Sequence, residues 1–458
     1  MTTRKIVTLV LVSALAGGAR VALATDVFRL EGFGALSRAM GGTAAAQDVG
    51  PAGMMTNPAT LSLMPQGDQA LLGLDVVTTK IDVKNKATGE SVSSGSHDSN
   101  RGPYLAPEIA YTKRIGAWAF GVGAFAQGGL GTEYGNGSFL SRATGGLATG
   151  LENSSRLLVL NIPFAASFQV NDKLAIGGSI DALWQGLNLD LLLGADQIVG
   201  LLGSGRATGS LVPVLAGLPA LRGAQFSLTK NQPLASGVDA WGYGGRFGMV
   251  YQATAETTLG ASYTVKSQMN DMEGRATLTA VDAIAGEIAL GGKIKIKDFQ
   301  MPAHLDLGVS HRLTPQWTVA ADVSQVFWKE VMKDIKVAFA ADAGGDINIL
   351  LPQDYKDQTI LALGAAYALN DQLTLRGGMR FASQALRSST LFAVIPATPK
   401  THLSAGLTYA FSKQSKLDFA YSHAFAETMD NTSLPNTSAP IEVKHSQDNA
   451  TISFRYSL

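Results

Sequence analysis

Along most of the chain, apolar and polar residues alternate with a period of two. From Trp317 to Ser324, Trp317, Val319, Ala321 and Val323 fall on one face of an extended strand and Thr318, Ala320, Asp322 and Ser324 on the other. The same alternation sets Leu417, Phe419 and Tyr421 against Asp418, Ala420 and Ser422. It also sets Ile452, Phe454, Tyr456 and Leu458 against Thr451, Ser453, Arg455 and Ser457. Read throughout, the pattern predicts fourteen strands near 69–83, 104–113, 117–127, 156–170, 173–188, 239–252, 256–268, 293–312, 316–328, 358–369, 372–383, 401–411, 416–425 and 449–458. Tight turns such as Val170-Asn171-Asp172-Lys173, Leu313-Thr314-Pro315 and Leu369-Asn370-Asp371 alternate with long connections. Short periplasmic turns, long extracellular loops and an even strand number describe an all-β membrane protein, a 14-stranded antiparallel transmembrane β-barrel. The apolar sets then face lipid, and Asp322, Arg376, Asp418 and Arg455 face the lumen. Trp118, Trp317, Trp328 and Tyr421, near strand ends, are expected in an outward aromatic girdle.

Residues 25–66 break the pattern. They are rich in Gly and Ala, carry few charges, and show neither a long helical stripe nor a period of two, which predicts compacted irregular backbone with short helical turns. Such backbone needs a host, and the lumen of the barrel formed by 67–458 is the available one. The expectation is therefore an N-terminal hatch, or plug, inside the barrel. Asn57-Pro58-Ala59 supplies a rigid bend in it, because Asn caps a turn and Pro fixes φ without offering an N–H.

Composition agrees with a membrane destination. Charged residues make up 16% of the chain and hydrophobic ones 46%, against roughly 25% charged in ordinary soluble proteins. Lys+Arg and Asp+Glu are both 36, so no basic excess points to nucleic acid. The absence of cysteine excludes disulfides, thiolate metal sites and cysteine nucleophiles. His97, His304, His311, His402, His423 and His445 are never three to five residues apart, so no local zinc pair arises, and neither a metal nor a cofactor is expected. Residues 1–24 combine a basic start, an apolar run and Ala22-Leu23-Ala24, the pattern of a secretory signal. No later stretch reaches the roughly 18 apolar residues of a membrane-spanning helix. A secreted chain of this kind is expected as a closed barrel in a bacterial outer membrane.

The Asn57-Pro58-Ala59 triplet, with Leu30-Glu31-Gly32-Phe33-Gly34 and Met40-Gly41-Gly42 before it, resembles the hatch of the long-chain fatty-acid outer-membrane transporter family, FadL and its toluene-transport relatives. The likeness continues through Ala119–Tyr134, Trp241–Tyr263, Pro302–Trp328, Thr359–Phe381 and His402–Tyr421, nearly the whole chain after the signal. The ending Tyr456-Ser457-Leu458 departs from the aromatic last residue usual in such barrels, though Leu458 keeps the outward parity. The resemblance implies an apolar ligand that docks outside, enters an interior pocket, and leaves sideways through a gap at a kink in the third strand once the hatch shifts. Phe33, Asn57, Pro58 and Ala59 would belong to that hatch, and the kink would fall at Gln127, Gly128, Gly129 and Gly131. Glycines within a strand mark a bulge, which supports the site independently. The resemblance further implies a monomer in contact with outer-membrane lipid and lipopolysaccharide and delivered by the barrel-assembly machinery.

The segment 189–232 is unusually apolar for an extracellular loop. Leu189, Leu192, Leu193, Ile198, Val199, Leu201 and Leu202 can form the apolar side of a short helix, with Leu211, Val214, Leu215, Leu218 and Leu221 as a second patch. An apolar patch outside the membrane marks a binding surface, and an alkyl chain gains about 0.8 kcal/mol per buried methylene there. Arg376, Arg380 and Arg455, inward by parity, are candidates to face a carboxylate. No G-x-S-x-G, H-E-x-x-H or P-loop occurs, and His402 and His423 lie near strand ends without an evident catalytic partner, so no enzyme is expected. The function expected is passive uptake of hydrophobic molecules, long-chain fatty acids first, aromatic or alkyl hydrocarbons next, with a static structural or adhesin barrel as the remaining alternative.

Overall fold

The computed structural model describes residues 27–95, 103–228 and 237–458; the signal segment 1–24 and His97 lie outside the described residues. The wall of the barrel consists of β1 (Gly67–Asn85), β2 (Tyr104–Ile115), β3 (Trp118–Glu133), β4 (Ser154–Gln169), β5 (Leu174–Gly194), β6 (Asp239–Gln252), β7 (Thr257–Thr264), β8 (His304–Arg312), β9 (Trp317–Val326), β10 (Gln358–Ala368), β11 (Leu373–Ala382), β12 (Thr401–Ala410), β13 (Ser415–Asn431) and β14 (Ile441–Ser457). Each pairs antiparallel with the next, and β14 returns to β1 from Gln69↔Ser457 to Asn85↔Ile441, so the wall closes. Closure leaves no sheet edge with orphan amides in lipid. Outward positions carry the exposed apolar side chains, Leu72, Ile109, Phe247, Leu307, Phe419 and Ile452 among them.

The wall closes with the fourteen strands expected, and further strands extend it: among the described residues the sheet counts 22 in all. Above β5 and β6 the wall continues through Leu221–Leu228, Met272–Asp282, Gly286–Lys297, Asp334–Ala341 and Asp346–Pro352, paired in that order. The single strand expected over 293–312 is in fact two. Asp298 adopts φ 53° and Pro302 follows, so the ladder stops at Lys297 and resumes at His304. Trp328 is also not in the girdle: β9 ends at Val326, and Trp328 opens a short helix with its indole fully buried.

The plug is helical only in short pieces, α1 (Gly34–Ala39) and 3₁₀ turns over Gly50–Met55 and Pro58–Leu63. Pro at the first position of the second and near the first of the other fixes φ where an N–H would be unused. Phe33, Met54, Met55, Leu61 and Met64 pack against Leu71, Ala110, Ala119, Phe125 and Ala165 of β1 to β4. Polar anchors complete the seat. Asp322 of β9 accepts from the N–H groups of Ala44 and Ala45 at 2.7 and 2.9 Å, and Glu108 of β2 accepts from Gly34 N–H at 3.1 Å. Asn57 caps the turn, its Oδ1 accepting from Ala59 N–H at 3.0 Å while Nδ2 donates to the carbonyls of Ala45 (2.7 Å) and Met249 (3.0 Å). These bonds satisfy backbone groups that the irregular fold leaves over.

Candidate functional site

Among the described residues, the wall parts between β2 and β3. The β2–β3 ladder runs from Ile115↔Trp118 to Glu108↔Phe125 and stops. Beyond it, Tyr104 to Pro107 pair with β1, whereas β3 pairs with β4 across a bulge in which Ala126 faces Leu160, Gly128 faces Val159 and Gln127 is the extra residue. A bulge turns a strand away from its neighbour, and here it parts β3 from β2. A cavity of about 110 Å³ opens at the parting, lined by Leu105, Ala106, Ala126 and Leu158 and by the polar side chains of Arg29, Arg156 and His402.

The N-terminal end of the plug occupies the edge that β3 exposes. Arg29 bridges Gly128, Gly129 N–H donates to the Phe28 carbonyl at 2.8 Å, and Leu30 N–H donates to the Gln127 carbonyl at 3.2 Å. Glycine is required for this approach: a Cβ on Gly128 would stand 2.0 Å from the Phe28 oxygen. Gly131 leaves room for the Tyr104 ring, whose hydroxyl would lie 2.1 Å from a Cβ there. The Arg156 guanidinium sits 5.9 Å from the centre of the same ring, within cation–π range.

Phe28 itself turns away from the cavity into an aromatic box. Its ring meets Trp328 edge-on at 5.5 Å, and Phe299 and Tyr355 at 6.2 and 6.3 Å. The Trp328 Nε1–H and the Tyr355 hydroxyl are buried without a hydrogen-bond partner. Next to Phe28, the β-branched Val27 adopts φ 61°, a conformation costing on the order of 1–3 kcal/mol that persists only while its surroundings impose it. Strain, an isolated β-bridge and an aromatic plug residue are therefore concentrated in four consecutive residues beside the gap.

Behind this segment lies a buried charge cluster. The Arg38 guanidinium contacts Asp75 and stands 3.5 Å from Glu31. Glu31 also accepts from Ser422 (2.5 Å) and Asn449 (2.7 Å). Burial raises the Glu31 carboxyl, but Arg38, His402 and the two hydrogen bonds outweigh it and hold the group down at about 2.

The arginines selected by parity lie on the inner face but away from the gap cavity. Arg455 is locked to Asp418 at 2.5 and 2.9 Å, Arg376 donates to Thr408 at 2.6 Å, and Arg380 reaches the Gly41 carbonyl at 3.5 Å. Leu189, Leu192 and Leu193 are not helical: they extend β5, where a run of leucines fits a strand buried on both faces. The helix Ala195–Gly203 carries Ile198, Val199, Leu201 and Leu202. Leu189, Leu193 and Leu201 are buried in the same core as Leu211, Leu215, Phe226 and Phe339, Leu192 packs on Ala143 and Val281, and Val199 remains exposed. Most of this apolar segment is packed against neighbouring elements. His423 does have a partner, Asp448, at 2.7 Å on the outer wall. Phe28, Arg29, Tyr104, Arg156 and Tyr355 escaped the sequence reading, and that reading places Trp328 in the girdle instead of at the site. The signal for Tyr104 is Gly131, where a Cβ would meet the Tyr104 ring, a contact that the sequence alone does not disclose.

Comparison with known proteins gives this geometry its setting. The model of the outer membrane protein transport protein family (OMPP1/FadL/TodX) matches residues 11–456. The toluene transporter TodX of Pseudomonas putida is 42% identical, with a TM-score of 0.84 over 94% of this chain and 99% of its own. The Ralstonia pickettii toluene transporter TbuX is 45% identical, with a TM-score of 0.80 over 94% of this chain and 99% of its own. A long-chain fatty acid transport protein of Salmonella typhi is 24% identical across 88% of each chain. The chain belongs to the OMPP1/FadL/TodX family of outer-membrane transport proteins, transporters of hydrophobic substrates.

Proposed function

We propose that this protein admits small monoaromatic hydrocarbons passively and releases them sideways, through the gap between β2 and β3, into the membrane. The observation that carries the reading is the gap cavity, apolar at Leu105, Ala126 and Leu158 and about 110 Å³ in volume. That is the scale of the ~150 Å³ apolar cavity known to take up benzene, and small for an extended long acyl chain. The 42% and 45% identity to two toluene transporters points the same way. In this reading a hydrocarbon arrives through the outer cap, and the aromatic box offers a ring-shaped site that competes with Phe28. Withdrawal of residues 27–30 then frees the edge of β3. The relief of strain at Val27 favours the withdrawn state.

Fatty acids are the second reading, favoured by Arg29 and Arg156 at the cavity, where a carboxylate would find a cation. Arg376, Arg380 and Arg455 remain further candidates for that role, and they bond Thr408, the Gly41 carbonyl and Asp418 respectively. Radiolabelled toluene and oleate, offered separately to cells lacking their own transporters, discriminate the two. Expression is expected to raise toluene uptake several-fold and oleate uptake little. The reverse ratio transfers the assignment to fatty acids, and no uptake of either by folded protein leaves a static barrel.

A further inference from the structure

Below the gap, the lipid-facing wall of β14, β1, β2 and β3 is hollowed. Ala70 lies between Tyr456 and Tyr111 across the ladders, and Ala124 lies opposite Ile109, so two small side chains form a floor. Leu72, Ile109, Val122 and Phe454 rise around it, and together these residues line one apolar groove on the outer surface. At the tight-turn end, which is the periplasmic end, Tyr111 and Tyr456 are outward and partly exposed, and one outward position lower on β2 stands Lys113, 3.2 Å from Asp68. Tyrosine and lysine at this depth mark the level of lipid headgroups.

We propose that this groove holds one acyl chain of a phospholipid of the periplasmic leaflet, with its phosphate at Lys113 and its chain end beneath the lateral gap. The lengths agree. From Tyr111 to Leu105, a residue of the gap cavity, six residues at about 3.3 Å each span about 20 Å of strand. With a strand tilt of roughly 40° that becomes about 15 Å of depth, half of a hydrocarbon core of about 30 Å. One leaflet's chain therefore ends where the wall parts. The chain covers the gap from outside while residues 28–30 cover it from inside, and a hydrocarbon that leaves displaces the chain end, not a wall of protein. The part concerning exit rests on the lateral route proposed above; occupancy of the groove does not.

Native mass spectrometry of the full-length protein, purified after supplementation with palmitoyl-oleoyl phosphatidylethanolamine, tests occupancy. The unaltered protein is expected to retain one phospholipid. Ala70→Trp, which fills the floor from the lipid side, and Lys113→Glu, which removes the phosphate's partner, are each expected to lower the retained fraction about tenfold. Leu307→Trp, on the distant lipid face of β8, is expected to retain it. Absence of lipid from the unaltered protein, or equal retention by Ala70→Trp, overturns the proposal. Toluene uptake measured on the same cells keeps the outcomes separate: retained lipid without uptake refutes the transport reading alone.

Discussion

Deletion of Gln127 is expected to reduce uptake of hydrophobic molecules to background while leaving the barrel folded. Gln127 is the extra residue of the bulge, where the register of β3 against β4 shifts from Ala126↔Leu160 to Gly128↔Val159. Without it, β3 and β4 keep a single register, β3 loses the bend that carries it away from β2, and the ladder can continue past Glu108↔Phe125 toward Tyr104. The carbonyl that holds Leu30 is lost as well. Heat-modifiable gel mobility checks that the barrel is formed, and radiolabelled toluene reads the transport. Uptake that persists in folded protein would show that the bulge is not the exit. Deletion within a strand commonly disrupts a sheet, but here it restores regular pairing, which is why the barrel should tolerate it.

Arg38→Ala is expected to have the second large effect, on the plug and not on the wall. Arg38 is 1% exposed and lies between Glu31 and Asp75, with Glu108 close by on the Gly34 amide. Removing the cation leaves three buried carboxylates without it, and breaking a buried ion pair by losing one partner costs about 3–5 kcal/mol. The wall keeps its ladders, so the loss falls on the seating of α1. Planar-bilayer recordings are expected to change from a closed protein to one with frequent ion-conducting openings. A variant as tight as the parent would mean that Asp322, Asn57 and the apolar contacts hold the plug unaided. Because the Glu31 carboxyl is held down at about 2, below its usual ~4.3, its contribution is present above about pH 4.3 and is lost only as pH falls through about 2. Mild acidity should therefore not loosen the plug through Glu31.

The wall was legible because a closed barrel imposes one rule on every strand, lipid on one side and lumen on the other. The β6 range 239–252 is the one read from alternation, and Asp322, Asp418 and Arg455 lie inside as parity requires. Legibility ended where that rule ended. Met272–Asp282 and Leu221–Leu228 stand above the membrane between other strands, with buried residues on successive positions, so their sequences carry no clean alternation. Leu189 to Leu193 satisfy helix and strand equally by hydrophobicity, and pairing to Leu221–Leu228 decides for strand. Trp328 near the end of an amphipathic segment reads as a girdle residue, until β9 stops two residues earlier and turns it inward. At the site, glycines disclosed the kink, but what approaches them did not show. That Gly128 makes room for Phe28, and that Phe28 rests among Trp328, Tyr355 and Phe299, depends on contacts between residues up to about three hundred positions apart.

Hydrophobic molecules are expected to cross the wall of the barrel and not to follow its axis. A diazirine-bearing toluene analogue, activated by light during uptake and followed by mass-spectrometric mapping, tests it most directly. Labels are expected on Tyr104, Leu105 and Leu158 at the gap, and on Trp328 and Tyr355 in the aromatic box. Labels confined to the axial path under the plug, at Met54, Leu61 and Met64, with the gap residues unmarked, would contradict it.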